Sequence, residues 1–169
     1  GLECSLQLAR RGYQVALAES KSQLGGRVLF ESGLKGLAAW KRVVDNRVHE
    51  ILQKNNIEIY KESKLTSAHI NELEIKNIFI ATGSKWRKDG VGRSRRSPIK
   101  GIESVKVFTP EEIIQEEQNI KDPVIIYDDE QGYLAGVLAD HLSSKGIDVT
   151  FVTPASVVSP WTESTLEQK

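Results

Sequence analysis

The chain contains no methionine, not even at its first position, and a single cysteine, Cys4, among its 169 residues. One thiol excludes an internal disulfide, a CxxC pair and a full iron–sulfur ligand set within these residues. A reducing, cytosolic setting fits that usage. Net charge is missing too, since 23 basic side chains balance 23 acidic ones. No bulk field therefore favours nucleic acid or an anionic membrane. No apolar run approaches the roughly 18 residues of a membrane span. No signal peptide is visible, because residues 1–11 read as an amphipathic helix with two arginines. His49, His69 and His141 are scattered without metal-ligand spacing, and no nucleophile elbow is present for Ser-His-Asp chemistry. The absent methionine, and a first residue that enters a helical pattern directly, point to a piece of a longer chain.

With 39% hydrophobic residues, the length suits one ordinary domain or two small ones. Leu2–Arg11 has helical apolar spacing, and Gly12 stands where a helix-ending glycine belongs. Tyr13–Ala18 reads as a buried strand ending at Glu19. A loop with the Gly25-Gly26 pair follows, then a helix over Gly36–Asn55 with Leu37, Trp40, Val44, Val48, Ile51 and Leu52 on one face. Ile57–Tyr60 and Ile78–Ala81 read as strands. Residues 85–103 form a connector. Thr109-Pro110-Glu111-Glu112 is a helix start with a capping box. Val124–Tyr127 is the next strand and Gly132–Ser144 a helix, with Leu134, Val137, Leu138, His141 and Leu142 inward. Gly146 stops it, and Val149–Val152 is a further strand. Recurring strand–helix–strand order predicts an α/β chain with parallel sheets. It suggests two nucleotide-fold units of one architectural type, Rossmann-like and three-layered, the first lacking its first strand. The predicted divisions are a truncated first nucleotide-fold domain over 1–105, a connector helix over 106–121, and the start of a second nucleotide-fold domain over 122–169. Both units share a joint, Gly12-Tyr-Gln-Val15 in one and Gly146-Ile-Asp-Val149 in the other.

A dinucleotide site needs glycines ahead of a helix, a free helix N-terminus for the pyrophosphate, and an acid ending the second strand for the ribose hydroxyls. Gly1 fits the third glycine, and Glu19 follows it by 18 residues, near the expected spacing of about 20. An ordinary β-α-β unit with a surface glutamate is the alternative. Two further features favour the site. Gly25-Gly26 lets backbone approach a phosphate or flavin, with Arg27 supplying charge. Thr82-Gly83 places a tight turn at the carboxyl edge of the sheet, where ligands bind in such folds.

Glu19-Ser20-(x)4-Gly25-Gly26-Arg27 and Ile80-Ala81-Thr82-Gly83 resemble the two-dinucleotide-domain flavoproteins. More narrowly, the chain resembles the carboxyl half of the trimethylamine and dimethylamine dehydrogenase group, in which an old-yellow-enzyme-like barrel is fused to this nucleotide module. Gly36-Leu37-(x)2-Trp40, Ala81–Trp86 with Asp89-Gly90, Pro98-Ile99-(x)-Gly101, Thr109-Pro110-Glu111 and Tyr127–Glu130 carry that resemblance, which covers essentially the whole chain. It implies FMN and a 4Fe–4S cluster in an amino-terminal part outside this sequence, and ADP or FAD in this region. It implies oxidation of N-methylated amines by removal of a hydride equivalent, and no catalytic residue in this chain. Gly1, Glu19, Gly25, Gly26, Arg27, Thr82 and Gly83 match the group's nucleotide-contact positions, with Ser20 and Trp40 as further candidates. Trp40 reads equally as a core anchor of its helix.

The turn after the fourth predicted strand, Tyr127-Asp128-Asp129-Glu130-Gln131-Gly132, has carboxylates where a pyridine-nucleotide pocket has glycines. Desolvated, they would repel a pyrophosphate; alternatively they cap the following helix. The first reading favours an amine dehydrogenase passing electrons to a protein acceptor, such as an electron-transfer flavoprotein. A second is an NADPH-dependent 2,4-dienoyl-CoA or enoate reductase. A third is a non-catalytic module that binds a structural nucleotide and docks a partner. The connector holds Lys85, Arg87, Lys88, Arg93, Arg95, Arg96 and Lys100. It can clamp a phosphate or an acidic partner, or stand solvated. Without aromatic interleaving beyond Trp86 it argues against nucleic acid.

Overall fold

The computed structural model describes residues 1–115 and 120–165. Residues 116–119 of the predicted connector helix, and residues 166–169, lie outside the described residues. The chain divides into two compact units, Gly1–Ser32 with Leu37–Ser84, and Gly33–Gly36 with Lys85–Lys169. It is α/β, with a two-stranded parallel sheet in each unit. Residues 85–105, read from the sequence as the end of the first domain, cluster with the second unit.

In the first unit, helix α1 (Leu2–Arg10) leads to strand β1 (Val15–Ala18). The one-turn helix α2 (Val28–Glu31), helix α3 (Lys41–Leu52), strand β2 (Ile57–Tyr60) and helix α4 (Ser67–Glu72) follow. Leu6, Ala9, Ile51 and Ile57 form a buried cluster, with Leu2, Val15, Leu17 and Ile59 packed against it. Leu6 and Ile51 are the largest fully buried side chains. This is the apolar face that the helical and alternating periods announce. On the outer side, Arg10 pairs with Glu50, and Arg47 with Glu3, across α1 and α3. Such exposed pairs contribute little beside the core. Helix α1 ends on Gly12, at φ +87°. The Gly12 and Tyr13 N–H groups donate to the Ala9 and Leu8 carbonyls at 3.0 and 3.2 Å, satisfying orphan carbonyls with a residue that has no Cβ to strain. Asn56 then donates to the Ala9 and Tyr13 carbonyls at 2.9 and 2.8 Å, fastening that joint to the start of β2. Strands β1 and β2 pair from Val15↔Ile57 to Ala18↔Tyr60.

Three expectations are corrected here. Ile78–Ala81 is not a strand: a strand exists only through a partner's N–H and C=O groups, and the described sheet is β1 and β2 alone. Ile78, Phe79 and Ile80 accordingly stand 49%, 61% and 81% exposed. The helix expected over Gly36–Asn55 is shorter, because Gly36 has φ +84°. A 3-10 turn, Ala38–Trp40, precedes α3, and the Lys54 N–H bonds to Ile51 at 3.0 Å, tightening the end instead of extending it. The strand expected from Tyr13 begins at Val15, since the Tyr13 N–H is committed to the helix cap.

In the second unit, helix α5 (Pro110–Gln115) precedes strand β3 (Val124–Tyr127), helix α6 (Leu134–Ser143) and strand β4 (Val149–Val152). The predicted capping box is formed. The Thr109 N–H donates to Glu112 at 3.0 Å, and the Glu112 N–H to the Thr109 hydroxyl at 3.4 Å. Strands β3 and β4 pair from Val124↔Val149 to Tyr127↔Val152. Leu134, Leu138 and Leu142 are buried on α6, with Val137 and His141 half-buried. Gly146, at φ +80°, repeats the Gly12 cap: it and Ile147 donate to the Ser143 and Leu142 carbonyls at 2.9 and 3.2 Å. The shared joint read from the sequence is thus the same backbone device. No helix among the described residues is long and apolar enough to cross a membrane.

Candidate functional site

The candidate residues of the first unit lie around the carboxyl end of β1. Gly1 caps α1 without a side chain to occupy the helix's free N–H groups. A Cβ there would lie 3.8 Å from Leu17 of β1 and 3.9 Å from Ala81. Helix start, strand end and the segment leading to Thr82-Gly83 therefore meet at one place, with room for one methyl group. Glu19 continues the ladder beyond β1: its N–H donates to the Tyr60 carbonyl, and its carbonyl accepts from Ser63, both at 2.8 Å. Its Oε1 accepts the Lys21 N–H at 2.9 Å and the Ser20 hydroxyl at 3.2 Å. The carboxylate is thus held in a turn at the strand terminus, half-buried, with Ser20 positioning it.

Gly25 and Gly26 have left-handed backbone, at φ +130° and +59°. Only Gly25 is also sterically obligatory. A Cβ there would lie 2.8 Å from Val44 and 2.9 Å from Leu29, whereas at Gly26 it would meet open space. Arg27 was expected to supply charge. It donates to the Ser84 carbonyl at 3.2 Å and lies 3.6 Å from Glu31, so it also ties the Gly25-Gly26 loop to the Thr82-Gly83 turn. Gly83 has φ +75°. Trp40, 48% exposed, is not a core anchor. It closes the 3-10 turn that precedes α3, four residues before Val44. Val44 and Leu29 beneath Gly25, and the Ser84 carbonyl, were missed from the sequence. The acceptor is main chain, which no residue type announces.

A dinucleotide tests well against this arrangement. The uncapped start of α1 suits a pyrophosphate, the Glu19 carboxylate suits ribose hydroxyls, and the Gly25 cradle would be filled by any Cβ. Among the described residues no group of three or more His, Cys, Asp or Glu could hold a metal ion.

The acidic turn of the second unit is not one cluster with one task. The Asp128 N–H extends the ladder to Val152 at 2.8 Å. Its Oδ1 accepts the Gln131 N–H at 2.8 Å, and its buried Oδ2 has no hydrogen-bond partner among the described residues. Asp128 is only 3% exposed. Burial pushes its carboxyl above the usual aspartate value, against the Gln131 and Glu130 N–H groups and with the neighbouring Asp129 charge. A raised folded-state value means a contribution that is full below the unfolded value and is lost as pH rises through the folded one. Asp128→Asn keeps the acceptor for Gln131 and removes the charge. Thermal melts should therefore show the variant more stable than wild type at pH 7, with the gap closing towards about pH 3. A gap that does not depend on pH would sink this assignment.

The basic connector is largely paired within its own unit. Arg87 grips Asp89 at 2.5 and 3.0 Å, Lys88 pairs with Glu112 at 2.7 Å, and the Arg93 guanidinium lies 4.4 Å from the Trp161 ring centroid. The Arg87 hydrogen bond, helped by the Val91 N–H, lowers the Asp89 carboxyl to about 2. Gly90, at φ +73°, lies so close to Ile99 that a Cβ would fall 2.6 Å from its Cγ1. Several residues of the Trp86-to-Gly101 motif thus serve packing.

No family model matches the chain. It is 32% identical over 174 residues to dimethylamine dehydrogenase of Hyphomicrobium sp., covering 99% of this chain and 24% of that protein. It is 28% identical over 159 residues to cinnamate reductase of Clostridium sporogenes, covering 90% of this chain and 21% of that protein. Among solved structures, histamine dehydrogenase from Rhizobium sp. 4-9 superposes with a TM-score of 0.91 at 41% identity, over 99% of this chain and 26% of that one. The 6-hydroxypseudooxynicotine amine oxidase from Pseudomonas geniculata N1 superposes with a TM-score of 0.92 at 43% identity, over 99% of this chain and 25% of that one. The chain therefore matches, over nearly its whole length, a stretch that makes up about a quarter of the length of these dimethylamine and histamine dehydrogenase-like oxidoreductases.

Proposed function

We propose that the first unit is a Rossmann-like ADP- or FAD-binding part of a flavin-dependent amine or N-methyl dehydrogenase. The observation that carries this reading is the convergence of Gly1, Glu19, the Gly25-Gly26-Arg27 loop and Thr82-Gly83 at the carboxyl end of one strand. The α1 N-terminus and the two glycines would hold the pyrophosphate, Glu19 with Ser20 the ribose, and Trp40 would flank the loop. When bound, ADP would supply an anchor and FAD a redox ring. Three of the four relatives named above are amine dehydrogenases or an amine oxidase, which supports the amine substrate class. FMN and an iron–sulfur cluster would belong to the rest of the protein, and a protein acceptor such as an electron-transfer flavoprotein would take the electrons in the cytoplasm.

The nucleotide released on denaturing the purified full-length protein tests the site. Stoichiometric ADP supports a structural role, FAD supports an electron path through this unit, and release of neither ADP nor FAD sinks the reading. A second reading, an NADPH-dependent enoate reductase, is favoured by the cinnamate reductase match. Flavin bleached by NADPH but not by methylated amines would establish it over the first. The acids at Asp128–Glu130, standing where a pyridine-nucleotide turn has glycines, weigh against it.

A further inference from the structure

The Gly92–Arg95 turn of the second unit holds the Asp129 carboxylate. The Gly92 N–H closes the turn on the Arg95 carbonyl at 2.9 Å. The Asp129 carboxylate accepts the Arg93 N–H, and the Ser94 N–H at 3.0 and 3.1 Å to its two oxygens. Tyr127 adds its hydroxyl at 3.3 Å. A Cβ on Gly92 would fall inside that carboxylate, so the glycine is what admits the acid. Successive N–H groups converging on one oxyanion are the backbone nest that elsewhere receives phosphate. Arg93 and Arg95 flank it. Gln131 reaches the Ser94 hydroxyl at 3.5 Å, and its carbonyl accepts the Trp161 N–H at 3.2 Å. Burial opposes ionisation of Asp129, and the Ser94 and Arg93 hydrogen bonds outweigh it, so the group is held as a carboxylate.

We propose that the Gly92–Arg95 turn is an oxyanion-binding nest of the class that takes a phosphate group, and that Asp129 occupies it as a built-in ligand and shuts it to phosphate. The acid held by this turn is then the chain's own, from the segment after β3. This stands independently of the nucleotide reading of the first unit.

The test uses full-length protein, inorganic phosphate as the probe, and two aspartate variants. In Asp129→Ala the vacated nest should bind phosphate at least about tenfold tighter than wild type, the factor one charge-assisted hydrogen bond allows. Phosphate should restore slow exchange to the Arg93 and Ser94 amides. Folded Asp129→Ala that gains no phosphate affinity overturns the proposal, as does wild type binding phosphate equally well. Should Ala fail to fold, Asp129→Asn keeps an acceptor in the nest without the charge. The two amides should then exchange roughly tenfold faster than in wild type; unchanged exchange overturns it.

Discussion

Gly25→Ala should destabilise the chain by about 2–4 kcal/mol and, on the nucleotide-binding reading proposed above, lower the nucleotide content of the full-length protein, two effects from one methyl group. The methyl would have to enter where Val44 and Leu29 already stand, 2.8 and 2.9 Å from the new Cβ, with the backbone at φ +130°. Val44 is buried on α3, and half-buried Leu29 of α2 meets the new Cβ at its Cγ as well as at a methyl end, so a turn of one terminal methyl does not clear the space. Relief requires the loop to lift away from α3, carrying Arg27 and its bond to Ser84 with it. Gly26→Ala is the internal control. Its Cβ meets open space at φ +59°, so it carries only the left-handed cost of about 1–2 kcal/mol. Urea denaturation and nucleotide content of both variants decide the matter. If the two substitutions cost the same, close packing at Gly25 is not what shapes this loop.

Leu6→Ala is the second large expectation. Leu6 is 0% exposed and sits in the cluster with Ala9, Ile51 and Ile57. Truncation there should cost about 2–5 kcal/mol, the range for a buried leucine whose cavity cannot fully collapse. Ile51→Val, which removes one methyl group from the same cluster, should cost only about 0.5–1.5 kcal/mol. Leu6 is five residues along α1 from Gly1, so loosening its seat also loosens the register of the helix start against Leu17 and Ala81. On the proposed nucleotide-binding reading, nucleotide release should therefore rise with Leu6→Ala even though Leu6 does not line the site. Chemical denaturation alongside nucleotide retention measures both, and a variant with unchanged midpoint would show that α1 is held by something other than this cluster.

The parts of the fold legible in the sequence are those decided locally. Gly12 and Gly146 end helices because the next two N–H groups turn back on the helix, a property of a few consecutive residues. Thr109 and Glu112 cap each other across a single turn. Val124–Tyr127 and Ile78–Ala81 look alike as apolar runs, yet only the first is a strand. What separates them is a partner in register, which lies outside either run. The candidate site divides the same way. Glycines, an acid at a strand end and an arginine could be picked out by type and spacing. That Arg27 reaches a main-chain carbonyl, or that Gly25 rests on Val44, depends on contacts between distant residues. The three acids at 128–130 could be counted but not told apart. Asp128 is buried, Asp129 is gripped by a loop 35 residues earlier, and Glu130 packs against Gly132.

The twin glycine joints carry a consequence for the order of folding. Each delivers the chain from a helix into a strand, but their strands close crossovers of different length: Val15 must wait for Ile57, whereas Val124 needs only Val149. Closing the longer span costs about 0.5 kcal/mol more chain entropy, and parallel pairing yields nothing until closure is made. The β3–α6–β4 crossover is therefore the cheaper one to close, and pulsed hydrogen exchange should find the β3 and β4 amides protected ahead of those of β1 and β2.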